Sequence, residues 1–307
     1  MTWLIMSTIV LLFALLGLGF DFFYLGFFNG NIDIPAATII ISIGSIVFAL
    51  ISLHDGASMV LRSAQAIPAD PTNPDHRQLF HVVQEISIAS GMPVPRVYII
   101  PDDDPNAFAT GEDPQHSSIA VTRGLLTILE RDELQGVIAH EMSHIRYYDI
   151  RLMTVVAALV GTIVLVSDLA IRGMRFGTFS GRGVRIKGKN SIGGLLFLLW
   201  LLTIIFAPLI TRLMAMMISR KREYLADASA AELTRNPQAL AKALQKLENA
   251  SAPTAVIKRG IAHLCVVDPL GKKVNEKDGF WSDLFATHPP MQKRIMFLKA
   301  MAYQKIQ

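Results

Sequence analysis

The chain has 307 residues, of which 51% are hydrophobic and only 18% are charged, so it is more apolar than an ordinary soluble domain and we expect it to be embedded in a membrane. Its single cysteine, Cys265, excludes an intrachain disulfide and a cysteine-ligated zinc cluster, so any metal site must use histidines and carboxylates. The net charge of +4 comes without aromatic and basic motifs for nucleic acid, and we predict no nucleic-acid partner.

Four apolar runs account for the high hydrophobic content, and each is near or above the ~20 residues that a membrane-spanning helix needs. They are Leu4–Phe28, Ile34–Leu53, Leu152–Ile171 and Ile192–Ile218. No Lys or Arg precedes the first run and no small-residue cleavage site is obvious, so we interpret it as a retained helix rather than a signal peptide. It contains Asp21, which is either a functional acid in the lipid or a polar residue near the interface or facing another helix.

Basic residues predict how the chain is oriented. Gly30–Asp33 joins the first two runs without Lys or Arg, whereas the sequence SRKR, Ser219–Arg222, follows the fourth run, so the polar regions at that end should face the cytoplasm. Residues 172–190 carry six positive charges and no acid, which contradicts this rule if the third and fourth runs both cross the bilayer. Either this loop is an exception, or the two runs form a hairpin that does not wholly cross.

Between the second and third runs, the chain alternates short polar and apolar segments. A Pro- and Asp-rich linker precedes a helix-like segment, Gln78–Ser90, and a turn follows it. Three strand-like runs come next, Arg96–Ile100 (RVYII), 106–111 (NAFATG) and 117–122 (SSIAVT), separated by Gly and Pro. We predict a small antiparallel sheet.

The sequence VIAHEMSHIRYYD contains the pattern His-Glu-x-x-His at His140, Glu141 and His144. Asp132, with Gln135 three residues later, predicts a capped helix start, and on a helix the two histidines lie one turn apart on one face. Both imidazoles can then bind one zinc ion, and Glu141 can take a proton from the water that such an ion activates.

A third ligand is predicted in REYLADASA, residues 222–230, where Glu223 and Asp227 lie four positions apart on a second helix. Glu223 could complete the zinc site while Asp227 accepts the ring N–H of one histidine. The alternative is a solvated helix face on which Glu223 pairs with Arg222 or Lys221. We set Asp149 aside as a third ligand, because it follows His144 too closely to come from a facing element.

Four motifs, HEMSH at 140–144, EYLADASA at 223–230, NAFATG at 106–111 and THPPMQKRI at 287–295, resemble the HtpX family of membrane zinc endopeptidases, relatives of the CAAX prenyl endopeptidases. The resemblance implies a gluzincin-type fold, with a metal helix, a second helix bearing the glutamate ligand and a small sheet whose edge strand binds the substrate backbone. The fold class is then a membrane α+β protein, mainly α, with four apolar helices and a gluzincin-like metalloprotease domain.

The resemblance also implies roles for further residues. The substrate strand would comprise Asn106, Ala107, Phe108, Ala109 and Thr110, although read without the family it is only a short strand. His288 would stabilise the oxyanion, or serve as a structural cap or loop anchor. Arg294 would orient Asp227 or Glu223, or pack on the surface.

We therefore predict a multi-pass zinc endopeptidase of a prokaryotic inner (plasma) membrane, with one Zn²⁺ per chain and its active site facing the cytoplasm. Its partners would be the lipid bilayer and protein or peptide substrates, and the resemblance implies cleavage of misfolded or damaged membrane proteins. Two alternatives are a catalytically silent scaffold or transporter with a structural zinc, and a prenyl-protein endopeptidase. The predicted parts are a membrane hairpin at 1–54, a catalytic part at 55–151, a second membrane pair at 152–218 and a catalytic part with the third ligand at 219–307.

Overall fold

The computed structural model describes residues 2–21, 34–157, 220–250, 264–267 and 289–304. The described residues up to Leu53 belong to one compact unit, and those from His54 onward belong to another. The described helices and strands are α1 (Thr2–Phe20), α2 (Ala36–His54), α3 (Gly56–Ser63), β1 (Ile67–Pro68), α4 (Pro74–Ser90), β2 (Arg96–Ile100), β3 (Ala107–Gly111), β4 (Ser117–Thr122), α5 (Arg123–Ile128), α6 (Arg131–Arg146), α7 (Arg220–Thr234), α8 (Pro237–Asn249) and α9 (Met291–Gln304).

The first unit contains the apolar helices α1 and α2. Asp21 follows α1 directly and is buried, and its carboxylate accepts the backbone N–H groups of Ala37 and Thr38 at 2.9 and 2.7 Å and the Thr38 hydroxyl at 2.6 Å. A carboxylate at this position satisfies N–H groups that the first turn of a helix leaves without partners. Asp21 therefore faces another helix and caps α2, which gives it a structural role.

Among the described helices, α2 is long and apolar enough to cross a membrane, judged by length and composition, while the apolar part of α1, Met6–Gly19, is shorter. Of the third predicted run, only residues up to 157 lie within the described part of the chain, where 149–157 are helical. The fourth run and the basic loop 172–190 lie outside the described residues. Four membrane helices therefore stay a prediction.

The second unit contains a four-stranded sheet in the order β1-β2-β4-β3. The predicted strand positions are confirmed, but the purely antiparallel pairing is wrong, because β2 and β4 are parallel while β1 with β2 and β3 with β4 are antiparallel. Residues 101–106 connect β2 to β3 and leave a gap of one strand between them. The next strand, β4, occupies this gap. That path is tight: a Cβ at Gly124 would lie 2.1 Å from the Asp103 carbonyl oxygen, so only glycine fits there.

Two predicted helix starts differ from the structure. Helix α4 begins four residues before Gln78, at Pro74, where Asn73 accepts the backbone N–H of Asp75 and proline occupies the first turn. Helix α6 is capped by Glu130 rather than Asp132, and the Glu130 backbone N–H donates to Glu133 Oε2 at 2.9 Å.

Helix α6 lies at the centre of the second unit, where it packs against α4, α7, α8 and β3. Every residue from Gly136 to Ile145 is buried. A Cβ at Gly136 would lie 3.0 Å from the Leu240 Cα, so the glycine lets α6 and α8 approach closely. This burial places the His-Glu-x-x-His segment in the interior of the unit, where unpaired polar groups are costly.

Candidate metal centre

Helix α6 places three polar side chains in the protein interior. His140 and Glu141 are 1% exposed and His144 is 4% exposed. The two imidazoles lie one turn apart, with ring centroids 4.9 Å apart and ring planes at 89° to each other. Polar side chains buried this completely need partners, and the neighbouring helix α7 supplies them.

Helix α7 brings Glu223 between the two imidazoles. Its Oε2 lies 3.7 Å from His140 Nε2, and its Oε1 lies 3.6 Å from His144 Nε2. Glu223 is buried, and its carboxylate does not extend into solvent along the helix surface. The alternative of a solvated helix face at this position is therefore wrong.

The donor atoms of His140, His144 and Glu223 lie close enough together to be a candidate metal site. One ligand atom from each residue lies within 4.8 Å of the other two. In a tetrahedral site with bonds of 2.0–2.1 Å, donors are about 3.4 Å apart, so small side-chain shifts would close this set on one ion. Two imidazole nitrogens and one carboxylate oxygen match the three protein ligands of catalytic zinc sites, whereas structural zinc sites usually have four.

Each histidine has a carboxylate on its other ring nitrogen. His140 Nδ1 lies 3.0 Å from Asp227 Oδ1, and His144 Nδ1 lies 3.2 Å from Asp149 Oδ2. A carboxylate accepts a proton held on Nδ1, which leaves the Nε2 lone pair for a metal ion. Both Nε2 atoms face Glu223, as such an arrangement requires.

Arg294, from α9, is fully buried and binds Asp227 through two hydrogen bonds, from Nε and from Nη2, each 2.8 Å long. Its Nη1 donates to the Val266 carbonyl at 3.2 Å and lies 3.4 Å from Glu223 Oε2. Burial opposes ionisation of Asp227, but the Arg294 guanidinium outweighs it and lowers the pKa of that carboxyl to about 2. Arg294 therefore contacts both carboxylates, and its alternative placement on the surface is wrong.

Replacing Arg294 by methionine should destabilise the protein strongly, because Asp227 would keep a buried charge without its bidentate partner. Breaking a buried ion pair by removing one partner costs about 3–5 kcal/mol. We expect the free energy of unfolding of the detergent-solubilised full chain to fall by this amount in denaturant titrations. The control is Arg123→Met, since Arg123 pairs with Asp103 in solvent, and such pairs contribute about 0–1 kcal/mol. If both variants lost the same free energy of unfolding, Arg294 would not be the stabilising partner of the buried Asp227 carboxylate.

Glu141 is buried close enough to His140, His144 and Glu223 for their charges to change the pKa of its carboxyl. Burial raises the pKa of its carboxyl above the ordinary value; both histidines lower it, Glu223 raises it, and a hydrogen bond from the Ala109 backbone lowers it. Its Oε2 has no hydrogen-bond partner among the described residues. A buried acceptor without a partner beside three metal-type donors fits a carboxylate that receives a proton from a water molecule or substrate.

Strand β3 forms an edge of the described sheet. Its backbone alternates, so that Phe108 and Thr110 hydrogen-bond to β4 while Ala107, Ala109 and Gly111 direct their N–H and C=O groups away from it. The Ala107 carbonyl accepts the Val266 N–H at 3.0 Å, and the Gly111 N–H donates to Thr154 Oγ1 at 3.0 Å. Ala109 lies between these two contacts, beside Glu141.

The other members of the predicted substrate strand are engaged within the protein. Asn106 Nδ2 donates to the Val267 carbonyl at 2.8 Å, and the Thr110 hydroxyl contacts that of Thr154 at 2.8 Å. Phe108 is fully buried. His288 lies outside the described residues. Sequence reasoning misses the contact between Asp149 and His144, because five helical positions would put the two side chains about 140° apart around the helix axis.

Comparison with known proteins adds a family assignment to this geometry. Residues 73–302 match the model of Peptidase family M48. A protein named Protease HtpX homolog from Caldanaerobacter subterraneus is 41% identical over 293 residues, which cover 95% of this chain and 93% of that protein. A protein of the same name from Streptococcus gordonii is 38% identical over 300 residues, covering 98% and 96%.

A third protein named Protease HtpX homolog, from Lactobacillus helveticus, is 41% identical over 304 residues, covering 98% of this chain and 96% of that one. Among solved structures, Ste24p from S. mikatae is similar with 19% sequence identity and a TM-score of 0.48, covering 82% of this chain and 56% of that one.

Proposed function

Because the chain belongs to the HtpX proteases of peptidase family M48 and is therefore a metalloprotease, we propose that it is a zinc-dependent endopeptidase of the membrane that degrades misfolded or damaged membrane proteins. The proposal depends chiefly on one observation, the convergence of His140, His144 and Glu223 beside the buried carboxylate of Glu141. A structural zinc site would gain nothing from a base in that position.

In this proposal His140, His144 and Glu223 hold one zinc ion per chain. When bound, zinc supplies Lewis acidity, which lowers the pKa of water toward neutrality and polarises a carbonyl oxygen. Asp227 holds the His140 ring by accepting its Nδ1 proton, and Arg294 fixes Asp227. The chain thus keeps its ligands in one orientation before any ion or substrate enters, which reduces the cost of reorganisation.

Glu141 would be the general base. Its Oε2 takes the proton of the attacking water molecule, the carboxyl group holds it, and the same atom passes it to the nitrogen of the leaving amine as the peptide C–N bond breaks. The Ala109 backbone N–H lies within hydrogen-bonding reach of this carboxylate and holds it near the edge of β3. Exclusion of bulk water from the buried site strengthens each of these interactions.

Extended substrates would pair with the edge of β3 through the Ala109 carbonyl, which faces away from β4, while the Ala109 N–H holds Glu141. Pairing of main-chain groups selects an extended peptide with little regard to its side chains, as a protease acting on unfolded segments requires. His288 would donate to the oxyanion of the tetrahedral intermediate, as the family resemblance implies.

The membrane location in this proposal is supported by the apolar composition of the chain and by α2, which is long and apolar enough to span a bilayer. We propose a multi-pass protein of a prokaryotic plasma membrane, with the two further apolar runs at 152–171 and 192–218 forming a second helix pair. In this proposal the catalytic parts, 55–151 and 219–307, lie on the cytoplasmic side, which the basic sequence at 219–222 supports.

The function is tested by removing the metal. The purified full chain in detergent should cleave casein, lose this activity on treatment with a strong chelator, and recover it when one equivalent of Zn²⁺ is returned. Mg²⁺ serves as the control and should not restore activity, because it prefers six oxygen ligands. Casein cleavage by the metal-free protein, or stoichiometric zinc binding without any cleavage, would contradict the proposal.

A further inference from the structure

Asp149, the carboxylate beside His144, has no role in the proposed mechanism. Its Oδ2 lies 3.2 Å from His144 Nδ1, and its Oδ1 accepts a hydrogen bond from Arg222 Nη1. Asp149 is 3% exposed, whereas the Arg222 side chain is 36% exposed. The carboxylate is therefore held between a buried imidazole and a guanidinium that lies closer to solvent.

A local break in the helix creates this contact. On a continuous helix, position 149 would lie five residues beyond His144, roughly 140° around the axis, and could not reach that ring. Instead α6 ends at Arg146, and Tyr148 takes a left-handed conformation with φ of 58°. Non-glycine residues adopt this conformation only when the surrounding structure holds them there, and here it turns Asp149 back toward the site.

Arg222 connects the same carboxylate to the other metal-binding helix. It directly precedes Glu223 on α7, so the Arg222–Asp149 ion pair joins the first turn of α7 to the turn that follows α6. The centre consequently contains two similar chains of contacts, His140–Asp227–Arg294 and His144–Asp149–Arg222.

We propose that Asp149, held by Arg222, is a positioning residue that keeps the His144 proton on Nδ1 and aims Nε2 at the metal. This inference rests on the proposed zinc site and deepens it. Asp149 touches neither the metal position nor the substrate, and it acts only through the imidazole. Carboxylate partners of metal-binding histidines typically contribute 10–100-fold to metal affinity.

The test measures zinc affinity in the full chain in detergent, by competition with a chromophoric chelator. We expect Asp149→Asn to raise the dissociation constant for Zn²⁺ about tenfold and Asp149→Ala by about 10–100-fold. The matched control is Asp113→Asn, because Asp113 also binds a histidine Nδ1, that of His116 at 2.9 Å, but at an exposed position on another loop. That variant should bind zinc as the parent does.

A second readout separates positioning from general stability. With Co²⁺ in place of zinc, Asp149→Ala should shift the visible d–d bands, because the His144 ring is no longer held, whereas a purely structural loss would leave the bands of the folded fraction unchanged. Arg222→Lys should retain most of the affinity, and Arg222→Gln should lose part of it. These two variants leave Asp149 in place if Asp149→Ala does not fold.

The outcomes distinguish this inference from the proposed function. Zinc binding by the parent, with Asp149 and Arg222 variants that match Asp113→Asn in affinity and in the Co²⁺ spectrum, would overturn the positioning role alone. A parent that binds no zinc would overturn both.

Discussion

Replacing Glu141 by glutamine is expected to abolish casein cleavage while the protein still binds one zinc ion. Glutamine has nearly the same volume and can still accept the Ala109 N–H, but its amide cannot take a proton from water. A general acid–base group accelerates a reaction by about 10²–10⁴-fold, so kcat should fall by at least this factor. The measurement pairs initial rates on casein with metal analysis of the same preparation.

The control for this substitution is Glu232→Gln, which makes the same chemical change at an exposed position on α7. It should leave both the rate and the zinc content unchanged. Activity of Glu141→Gln within a few-fold of the parent, with zinc bound, would reject Glu141 as the base and leave the metal site itself intact.

Replacing Glu223 by alanine should remove the bound zinc. Two imidazoles from one helix would remain, without the carboxylate that approaches both Nε2 atoms at 3.6 and 3.7 Å. Removing a direct ligand should lower the zinc affinity by more than the ~10–100-fold that follows from losing a histidine's carboxylate partner. We expect substoichiometric zinc after dialysis and no casein cleavage.

Two further variants make the Glu223 test specific. Glu223→Gln keeps the side-chain volume and the contact with Arg294 but weakens the donor, so it should also lose zinc. Glu232→Ala, on the same helix but exposed, should retain one zinc ion per chain. Full zinc occupancy in Glu223→Ala would show that another carboxylate completes the site.

Local sequence patterns are enough to predict the two helices that carry the candidate metal ligands. His140 and His144 lie four positions apart, as do Glu223 and Asp227, and side chains at this spacing share one face of a helix whatever the surrounding fold. The strands β2, β3 and β4 were similarly recognisable from their β-branched and alternating residues between Gly and Pro. These features depend only on neighbours a few residues apart.

The order of the strands could not be predicted in this way. A hairpin of β3 and β4 is a local structure, but the insertion of β4 between β2 and β3 depends on the path of residues 101–106 and on packing against α5. The sequence patterns also place the starts of α4 and α6 a few residues too late, because hydrophobic periodicity locates the body of a helix better than its end.

By itself, the sequence determined the apolar composition of the chain, a candidate metal site without cysteine, and the spacing of His140, Glu141, His144 and Glu223. Tertiary structure decided what surrounds those groups. Arg294 became a buried partner of Asp227, and Asp149 turned back onto His144 through the left-handed Tyr148. The physical reason is that helical periodicity acts over a single turn, whereas the hydrogen-bond partners of a buried charge come from whichever distant segments the core brings beside it.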